Sequence, residues 1–250
     1  MNSAFVKTVR GYDAIGSTSD EARALASSPD IALPLLVTAN TQTAGRGRGE
    51  NRWWSDAGSL TFSLAFEPHA IGLRREHESR IALAVAVAIV RACESIAPLG
   101  IRWPNDVECR GKKLAGLLPE SIATAIGPRF LLGVGLNVTT KMEDAPEDVR
   151  RMATSLADQA LKPPDKHLVL SAVLEQIAES LGRLADDDPV LARSWSELDL
   201  LRGHRVRLKL GAAIVEGIGA GIAPDGSLIL RTEAGDRSFH AGQVLRDGAA

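Results

Sequence analysis

The chain has 250 residues, with 29 Lys plus Arg against 31 Asp plus Glu, and therefore a formal net charge of −2. With 45% hydrophobic and 24% charged residues, it has the composition of an ordinary globular protein, which excludes a disordered chain, a collagen-like repeat and a disulfide scaffold. The near-neutral charge disfavours binding of nucleic acid or membranes over the whole surface, so any anion site must be built locally. We expect Cys93 and Cys109 to be free thiols, and we expect no structural metal.

The first thirty residues contain no charged segment followed by an apolar one, so the sequence does not predict a secretion signal. The longest apolar run, residues 81–90, is much shorter than the ~20 residues of a membrane-spanning helix. We therefore expect a cytoplasmic protein without membrane association.

In the first hundred residues we expect two helices and two strands. A short helix over 20–28 follows Ser17, Thr18 and Ser19, whose hydroxyls can accept its free N–H groups. Residues 35–39 predict a buried strand, and the alternation over 60–66 predicts a half-buried one. A long core helix is expected over 74–96.

The second part of the chain predicts a short strand over 100–103 and two adjacent strands, 114–122 and 130–138, joined by a turn at Gly127 and Pro128. An amphipathic helix follows over 167–184. After residue 199 the pattern changes to short strands with a period of two, which predicts a small barrel. The expected domains are therefore 1–199 and 200–250.

A glycine–arginine loop, residues 42–54, is the most informative segment. Its glycines let the backbone approach a ligand closely, while Arg46, Arg48 and Arg52 supply forked donors for a carboxylate or phosphate. The spacing matches neither a P-loop nor a dinucleotide-binding turn. A lid over an anion and a solvated basic loop that touches RNA are both compatible with this segment alone.

Three further segments carry polar groups near predicted strand ends. Asn105 and Asp106 follow a proline that sets a turn, where they could hold a ribose or a magnesium ion, or simply bond their own backbone. Lys113 could neutralise a carboxylate or phosphate, or belong to a surface lysine pair. Glycines at 116, 133 and 135 indicate close approach by a ligand or by a helix, with Asn137 at the strand end.

Taken in order, these segments resemble biotin protein ligase. The resemblance rests on Ser17-Thr18, the loop 42–48 with Trp53, and the segments 103–106, 113–120 and 133–138. It implies an α+β fold, in which a mixed sheet flanked by helices, similar to the catalytic domain of class II aminoacyl-tRNA synthetases, precedes an SH3-like small β-barrel. It also implies that biotin and ATP form biotinyl-5′-adenylate with Mg²⁺, and that biotin then passes to a lysine of a biotin carboxyl carrier domain.

The same resemblance implies roles for particular residues. The catalytic residues would be Lys113, Arg46 and Arg48. The residues that contact biotin would be Ser17, Thr18, Ser19, Gln42, Arg46, Gly47, Arg48, Lys113 and Gly116. Those that contact ATP or the adenylate would be Trp53, Asn105, Asp106 and Asn137, with Asp106 also on the metal. The chain departs from the family at Ser19, which is usually Asn, at residues 49–51, which are usually more basic, and at Arg102, which is usually Lys.

Several questions stay open from the sequence. Some members of this family carry an N-terminal DNA-binding domain, for which we find no residues here, so we expect a ligase without specific DNA binding. Both a monomer and a homodimer are compatible with the sequence. A lipoate ligase on the same fold is the main alternative, and a non-catalytic RNA-binding module is the more remote one, since one Tyr and five Phe offer few aromatic rings for base stacking.

Overall fold

A computed structural model describes residues 5–246. A seven-stranded sheet, in the order β1-β2-β3-β7-β6-β5-β4, has one parallel pair, β1 with β2, and is otherwise antiparallel. Its strands are β1 (Thr8–Ile15), β2 (Leu35–Gln42), β3 (Ser59–Phe66), β4 (Leu99–Arg102), β5 (Asp106–Cys109), β6 (Lys112–Thr124) and β7 (Gly127–Asn137). The helices are α1 (Thr18–Ala26), α2 (Ile81–Cys93), α3 (Glu147–Met152), α4 (Lys166–Ala185) and α5 (Pro189–Glu197).

A second, antiparallel sheet lies at the C-terminal end of the described chain, in the order β11-β10-β9-β8-β12. Its strands are β8 (Arg205–Leu210), β9 (Ala213–Ile222), β10 (Leu228–Thr232), β11 (Gly235–Phe239) and β12 (Gln243–Val244). The α+β class with a mixed sheet and a small C-terminal β domain is therefore confirmed. Within residues 5–246 the small sheet is open, because β11 and β12 are its two edges.

One hydrophobic core joins the two sheets. Helix α2 is buried on all sides, as its run of Ala, Val and Ile requires, and it packs against α4 and the large sheet. Leu208 and Leu230 of the small sheet belong to the same buried cluster as Phe62 of the large one. Two indole N–H groups also donate to the turn between β9 and β10 of the small sheet: Trp103, directly after β4, to the Gly226 carbonyl at 3.0 Å, and Trp195 of α5 to the Ala223 carbonyl at 3.1 Å.

The starts of helices α4 and α1 differ in whether a side chain caps the free N–H groups. At the start of α4, the Asp165 carboxylate accepts hydrogen bonds from the His167 and Leu168 N–H groups, and these bonds hold the pKa of Asp165 below its usual range. Ser17 occupies the equivalent position before α1, but its hydroxyl makes no such bond. The expected hydroxyl cap of α1 is therefore wrong, although the helix itself is present.

Some strand and helix predictions were wrong in detail. Strand β3 is buried on both faces, not half-buried, because α1 covers one face while the other lies in the core. The expected helix over 74–96 begins as a 3-10 helix (Arg75–Arg80) and becomes α-helical only at Ile81. Within the region of expected short strands, residues 238–245 are divided between β11 and β12. The pairing of β6 with β7 through Gly127 is confirmed.

The two cysteines are free thiols, as expected, and both are buried. Burial raises the pKa of Cys93 to about 12. None of the helices in the described part of the chain is both long enough and apolar enough to cross a membrane. The domain boundary near residue 200 stays a prediction.

Candidate active site

The glycines of β6 and β7 provide a floor for a bulky group. Gly116 and Gly135 are register partners on these two strands. A Cβ atom at Gly135 would overlap the Trp53 indole, and one at Gly116 would lie 3.2 Å from the same ring. A Cβ at Gly133 would lie 2.7 Å from the Ser19 hydroxyl of α1. The glycines are therefore explained by close approach of an aromatic ring and of a helix start.

A cluster of buried hydroxyl groups lies where α1 meets the sheet. The Thr18 N–H and hydroxyl both donate to Gln42 Oε1, at 2.7 and 3.0 Å. Ser63 Oγ donates to Thr18 Oγ1 at 2.9 Å and lies 3.1 Å from Ser19 Oγ. Ser17 is 3% exposed, and its hydroxyl has no hydrogen-bond partner in the described structure. These five residues form a polar cluster in which the Ser17 hydroxyl is left unpaired among the described residues.

The glycine–arginine loop folds back on itself as a narrow hairpin. The Gly47 N–H donates to the Asn51 carbonyl at 2.8 Å, and the Trp53 N–H donates to the Gly45 carbonyl at 3.0 Å. A Cβ at Gly45 would overlap the Trp53 carbonyl, and one at Gly47 would lie 3.1 Å from the Asn51 carbonyl oxygen. The glycines of this loop therefore allow the two sides of the hairpin to approach each other.

Arg46 is held by two carboxylates. Its guanidinium lies 2.9 Å from Asp20 and 2.8 Å from Glu120, and Arg23 shares Glu120 at 2.9 Å. Desolvation lowers the pKa of Arg46, but hydrogen bonds and charge interactions with Glu120 and Asp20 outweigh it, so the net shift is upward. Arg46 therefore stays charged.

Arg48 links the loop to two other parts of the molecule. It donates to Asn105 Oδ1 at 3.1 Å and to the carbonyl of Gly242 in the small domain at 3.3 Å. Asn105 in turn donates to the Leu117 carbonyl of β6 at 2.6 Å, and its own carbonyl accepts the Leu117 N–H at 2.9 Å. The loop is therefore tied at this point to both sheets.

Lys113 lies beside the glycine floor. Its Nζ is 2.7 Å from Asp106 Oδ1 and 5.8 Å from the centre of the Trp53 ring. The Trp53 ring nitrogen is buried and has no hydrogen-bond partner in the described chain. Lysine, carboxylate and indole therefore meet over Gly116.

Asn137 is separate from this charged group. Asn137 is 3% exposed, and its side-chain N–H donates to the Thr154 carbonyl at 3.1 Å. This bond links the end of β7 to the segment around Thr154. The structure thus brings the other expected site residues into two neighbouring groups, one of hydroxyls and one of charges.

Sequence reasoning missed three residues of this site. Ser63, Asp20 and Glu120 were given no role, yet each contacts an expected site residue. A signal for Ser63 was present, because it is a polar residue between Phe62 and Leu64 in a strand of alternating character. No comparable signal marks the acids, which meet Arg46 only through the fold.

Two family models match the chain: the Biotin/lipoate A/B protein ligase family over residues 14–137, and the Biotin protein ligase C terminal domain over residues 203–246. The chain is 34% identical to the biotin--[acetyl-CoA-carboxylase] ligase of Mycobacterium tuberculosis, with 92% of this chain and 85% of that protein covered. It is 30% identical to the enzyme of the same description from Paracoccus denitrificans, with 92% and 98% covered.

The fold is also similar to solved structures. A biotin protein ligase from Aquifex aeolicus in complex with biotin and ATP matches with a TM-score of 0.82 and 26% sequence identity, over 96% of this chain and 98% of that one. The match covers both sheets. This chain belongs to the biotin protein ligase family.

Proposed function

We propose that this protein activates biotin with ATP to biotinyl-5′-adenylate and transfers biotin to a specific lysine of a biotin carboxyl carrier protein. The observation that carries the proposal is the polar, glycine-lined face of the sheet, where two buried groups, Ser17 Oγ and Trp53 Nε1, have no hydrogen-bond partner within residues 5–246. An unpaired buried polar group is costly unless a ligand satisfies it. Family membership supports biotin and ATP as the ligands.

The hydroxyl cluster is the proposed site for the bicyclic ring of biotin. Ser17, Thr18, Ser19 and Gln42 offer donors and acceptors that match the ureido group of biotin. Gly116 lets the Lys113 side chain and the Trp53 ring approach the sheet, and Gly47 lets the loop fold closely on Asn51, so both glycines shape the proposed ligand contacts. Ser19 is a short residue whose hydroxyl already contacts Ser63, at 3.1 Å.

The first step joins two anions, and the charged group is the proposed place for it. An oxygen of the biotin carboxylate attacks the α-phosphorus of ATP, the bond to the β-phosphate oxygen breaks, and pyrophosphate leaves. Lys113 and the arginines Arg46 and Arg48 offset the repulsion between carboxylate and phosphate and stabilise charge in the transition state. Trp53 and Asn105 are the proposed contacts of the nucleotide. Asn137 supports Lys113, because its side chain donates to the Thr154 carbonyl and the Thr154 N–H donates to the Lys113 carbonyl at 2.9 Å.

Asp106 fits the role of the protein ligand to Mg²⁺. Magnesium is commonly held by one or two carboxylates together with substrate phosphates, and Asp106 is the one carboxylate among the expected nucleotide contacts. When bound, the ion supplies positive charge that neutralises the phosphates. Asp106 also orients Lys113, because their charged atoms are 2.7 Å apart.

The second step requires the adenylate to survive until the acceptor arrives. The deprotonated amine of the carrier lysine attacks the acyl carbon, AMP leaves, the amine loses a proton, and an amide forms. The loop hairpin is the proposed lid that excludes water from the mixed anhydride.

Three finer predictions belong to this proposal. The acceptor is a carboxyl carrier domain of acetyl-CoA carboxylase or a related carboxylase. The protein acts in the cytoplasm as a ligase without operator binding, which a biotin-dependent gel shift would contradict. A homodimer would extend the large sheet through its edge strand β1, so a mass measurement in solution distinguishes it from a monomer.

The direct test measures pyrophosphate release with ATP and either biotin or lipoate, followed by mass analysis of the tightly held product. We expect release with biotin, a retained adenylate, and transfer of biotin to one lysine of an added carrier domain. Release with lipoate but not with biotin would support the alternative ligase instead. Salt-dependent RNA binding without any adenylate would support the non-catalytic alternative.

A further inference from the structure

Glu108 is a buried carboxylate for which neither the proposed chemistry nor the sequence motifs provide a role. Its side chain is 3% exposed and lies on β5, two residues after Asp106. A buried charge is stable only when it is paired. Here the same oxygen, Oε1, forms an ion pair with Arg246 and lies 3.8 Å from Arg102 Nε.

These partners come from different domains. Arg102 ends β4 of the large sheet, whereas Arg246 follows β12 of the small one. Arg246 also donates to the Gly111 carbonyl at 3.4 Å, in the turn between β5 and β6. The ion pair between Glu108 and Arg246 therefore attaches the small domain to the strand pair β5–β6, which carries Lys113.

The residues 242–246, here named the closing segment, are attached on both sides. The Leu245 N–H donates to the Arg207 carbonyl of β8 at 2.9 Å, and its carbonyl accepts from Arg102 at 3.0 Å. At the other end of the closing segment, the Gly242 carbonyl accepts from Arg48 of the lid. One short piece of the small domain thus contacts both the lid and the ion pair at Glu108.

Glu108 is also the register partner of Lys113 across β5 and β6. The carboxylate that holds the closing segment is therefore on the same strand pair as the lysine and Asp106 of the proposed first step. A shift of the closing segment would be transmitted to the lid through Gly242 and Arg48, because a hydrogen bond joins them directly.

We propose that Glu108 is a positioning residue: by pairing with Arg246 it holds the closing segment in place, and the closing segment holds the lid over the adenylate through Arg48. The small domain then has a defined task in the ligase reaction, which is to keep the lid closed between the two steps. The consequence for the adenylate rests on the proposed function, whereas the mechanical link between Glu108 and the lid does not.

The test compares Glu108→Gln with the wild-type chain by amide hydrogen exchange without ligands, and by the rate at which the purified complex loses its adenylate. We expect exchange of the lid, residues 45–53, to accelerate about 2- to 30-fold, with a similar acceleration of adenylate loss. The rate of adenylate formation at saturating biotin and ATP should change little, because Glu108 touches no reacting atom.

A second variant distinguishes loss of the ion pair from a general folding defect. Arg246→Gln removes the same ion pair by changing its more exposed member, since Arg246 is 24% exposed and Glu108 is 3% exposed. Strand β5 keeps its sequence in this variant. It should accelerate lid exchange as Glu108→Gln does, and the double variant should add nothing further, because both remove one contact. Glu216→Gln is the matched control: its ion pairs with Arg205 and Arg207 lie on the outer face of the small domain, and lid exchange should stay at the wild-type rate.

The possible outcomes distinguish the positioning role of Glu108 from the proposed ligase function. Unchanged lid exchange in both Glu108→Gln and Arg246→Gln would overturn the positioning role, even if the closing segment itself exchanged faster. Faster exchange of α4 in parallel with the lid would show a global loss of stability and would also overturn it. A wild-type protein that forms no adenylate would refute the proposed function, while lid exchange would still decide the link between Glu108 and the lid.

Discussion

The two faces of the large sheet are built from the same strands but differ in character. On one face, β3 presents Leu60, Phe62, Leu64 and Phe66, and β7 presents Leu132, Val134 and Leu136, all within one buried apolar cluster. On the other face, the intervening residues include Ser63 and the glycines 133 and 135, which contact hydroxyls and the Trp53 ring. The first face belongs to the same buried cluster as α2 and α4, whereas the second is covered in part by α1 and carries the candidate site.

This difference shows how a sheet separates stability from function. Side chains alternate along a strand, so each residue belongs to one face only. Apolar burial on the core face contributes to folding in proportion to the area removed from water. The opposite face carries apolar residues under α1, but also small and polar residues with unpaired groups that a ligand could use. Substitutions on the two faces should therefore change different measured quantities.

The largest effect on stability is expected on the core face. Phe62→Ala leaves a cavity in a fully buried position and should lower the free energy of unfolding by about 3–5 kcal/mol, measured by urea denaturation. The fraction that stays folded should keep the wild-type KM for biotin. A large increase in this KM with unchanged stability would show that the two faces are not separated.

Lys113→Ala should have the largest effect on catalysis. Removing one charged donor that stabilises a transition state typically lowers kcat by about 10²–10³-fold, and we expect this loss in pyrophosphate release with little change in the melting temperature. Lys112→Ala, at the neighbouring position, is the control and should keep normal release. Equal losses in the two variants would contradict the role assigned to Lys113.

Gly135→Ala tests the glycine floor. A methyl group there overlaps the Trp53 indole, so the variant should be destabilised by about 1–3 kcal/mol and should bind biotin and ATP more weakly. Gly182→Ala on α4 is the matched control: its new methyl group meets nothing within 4 Å, and a helical Gly→Ala change should stabilise the protein by about 0.4–1 kcal/mol. Thermal unfolding and ligand titration measure both, and effects of the same sign would refute the packing argument.

The smallest effect is expected for Ser63→Ala. It removes the hydrogen bond to Thr18 and should cost about 1 kcal/mol in stability, while the KM for biotin rises and kcat stays nearly constant. Ser180→Ala is the counterpart on α4, because the buried Ser180 hydroxyl has no hydrogen-bond partner in the described structure. Its removal should be neutral or slightly stabilising. An unchanged KM in Ser63→Ala would exclude Ser63 from the biotin pocket.

Much of the fold was predictable where the pattern was strong and local. The amphipathic pattern of α4 and the turn between β6 and β7 were read correctly. Strand β1 was missed because it is an edge strand with exposed Arg10 and Gly11, and therefore has no alternating apolar pattern. Strand β5 was missed because it has four residues and contains the acidic Glu108, which pairs when buried with Arg246, far away in sequence.

The sequence by itself determined the class of the fold, the order of the site segments and the family to which they belong, because helix and strand periods, glycines and short motifs are local properties. The tertiary structure alone decided which charges meet. Arg46 pairs with Asp20 and Glu120, Lys113 with Asp106, and Glu108 with Arg246 across 138 residues. Such pairs depend on distances of a few ångströms between separate elements, and charge interactions fall with distance in space whatever the separation along the chain.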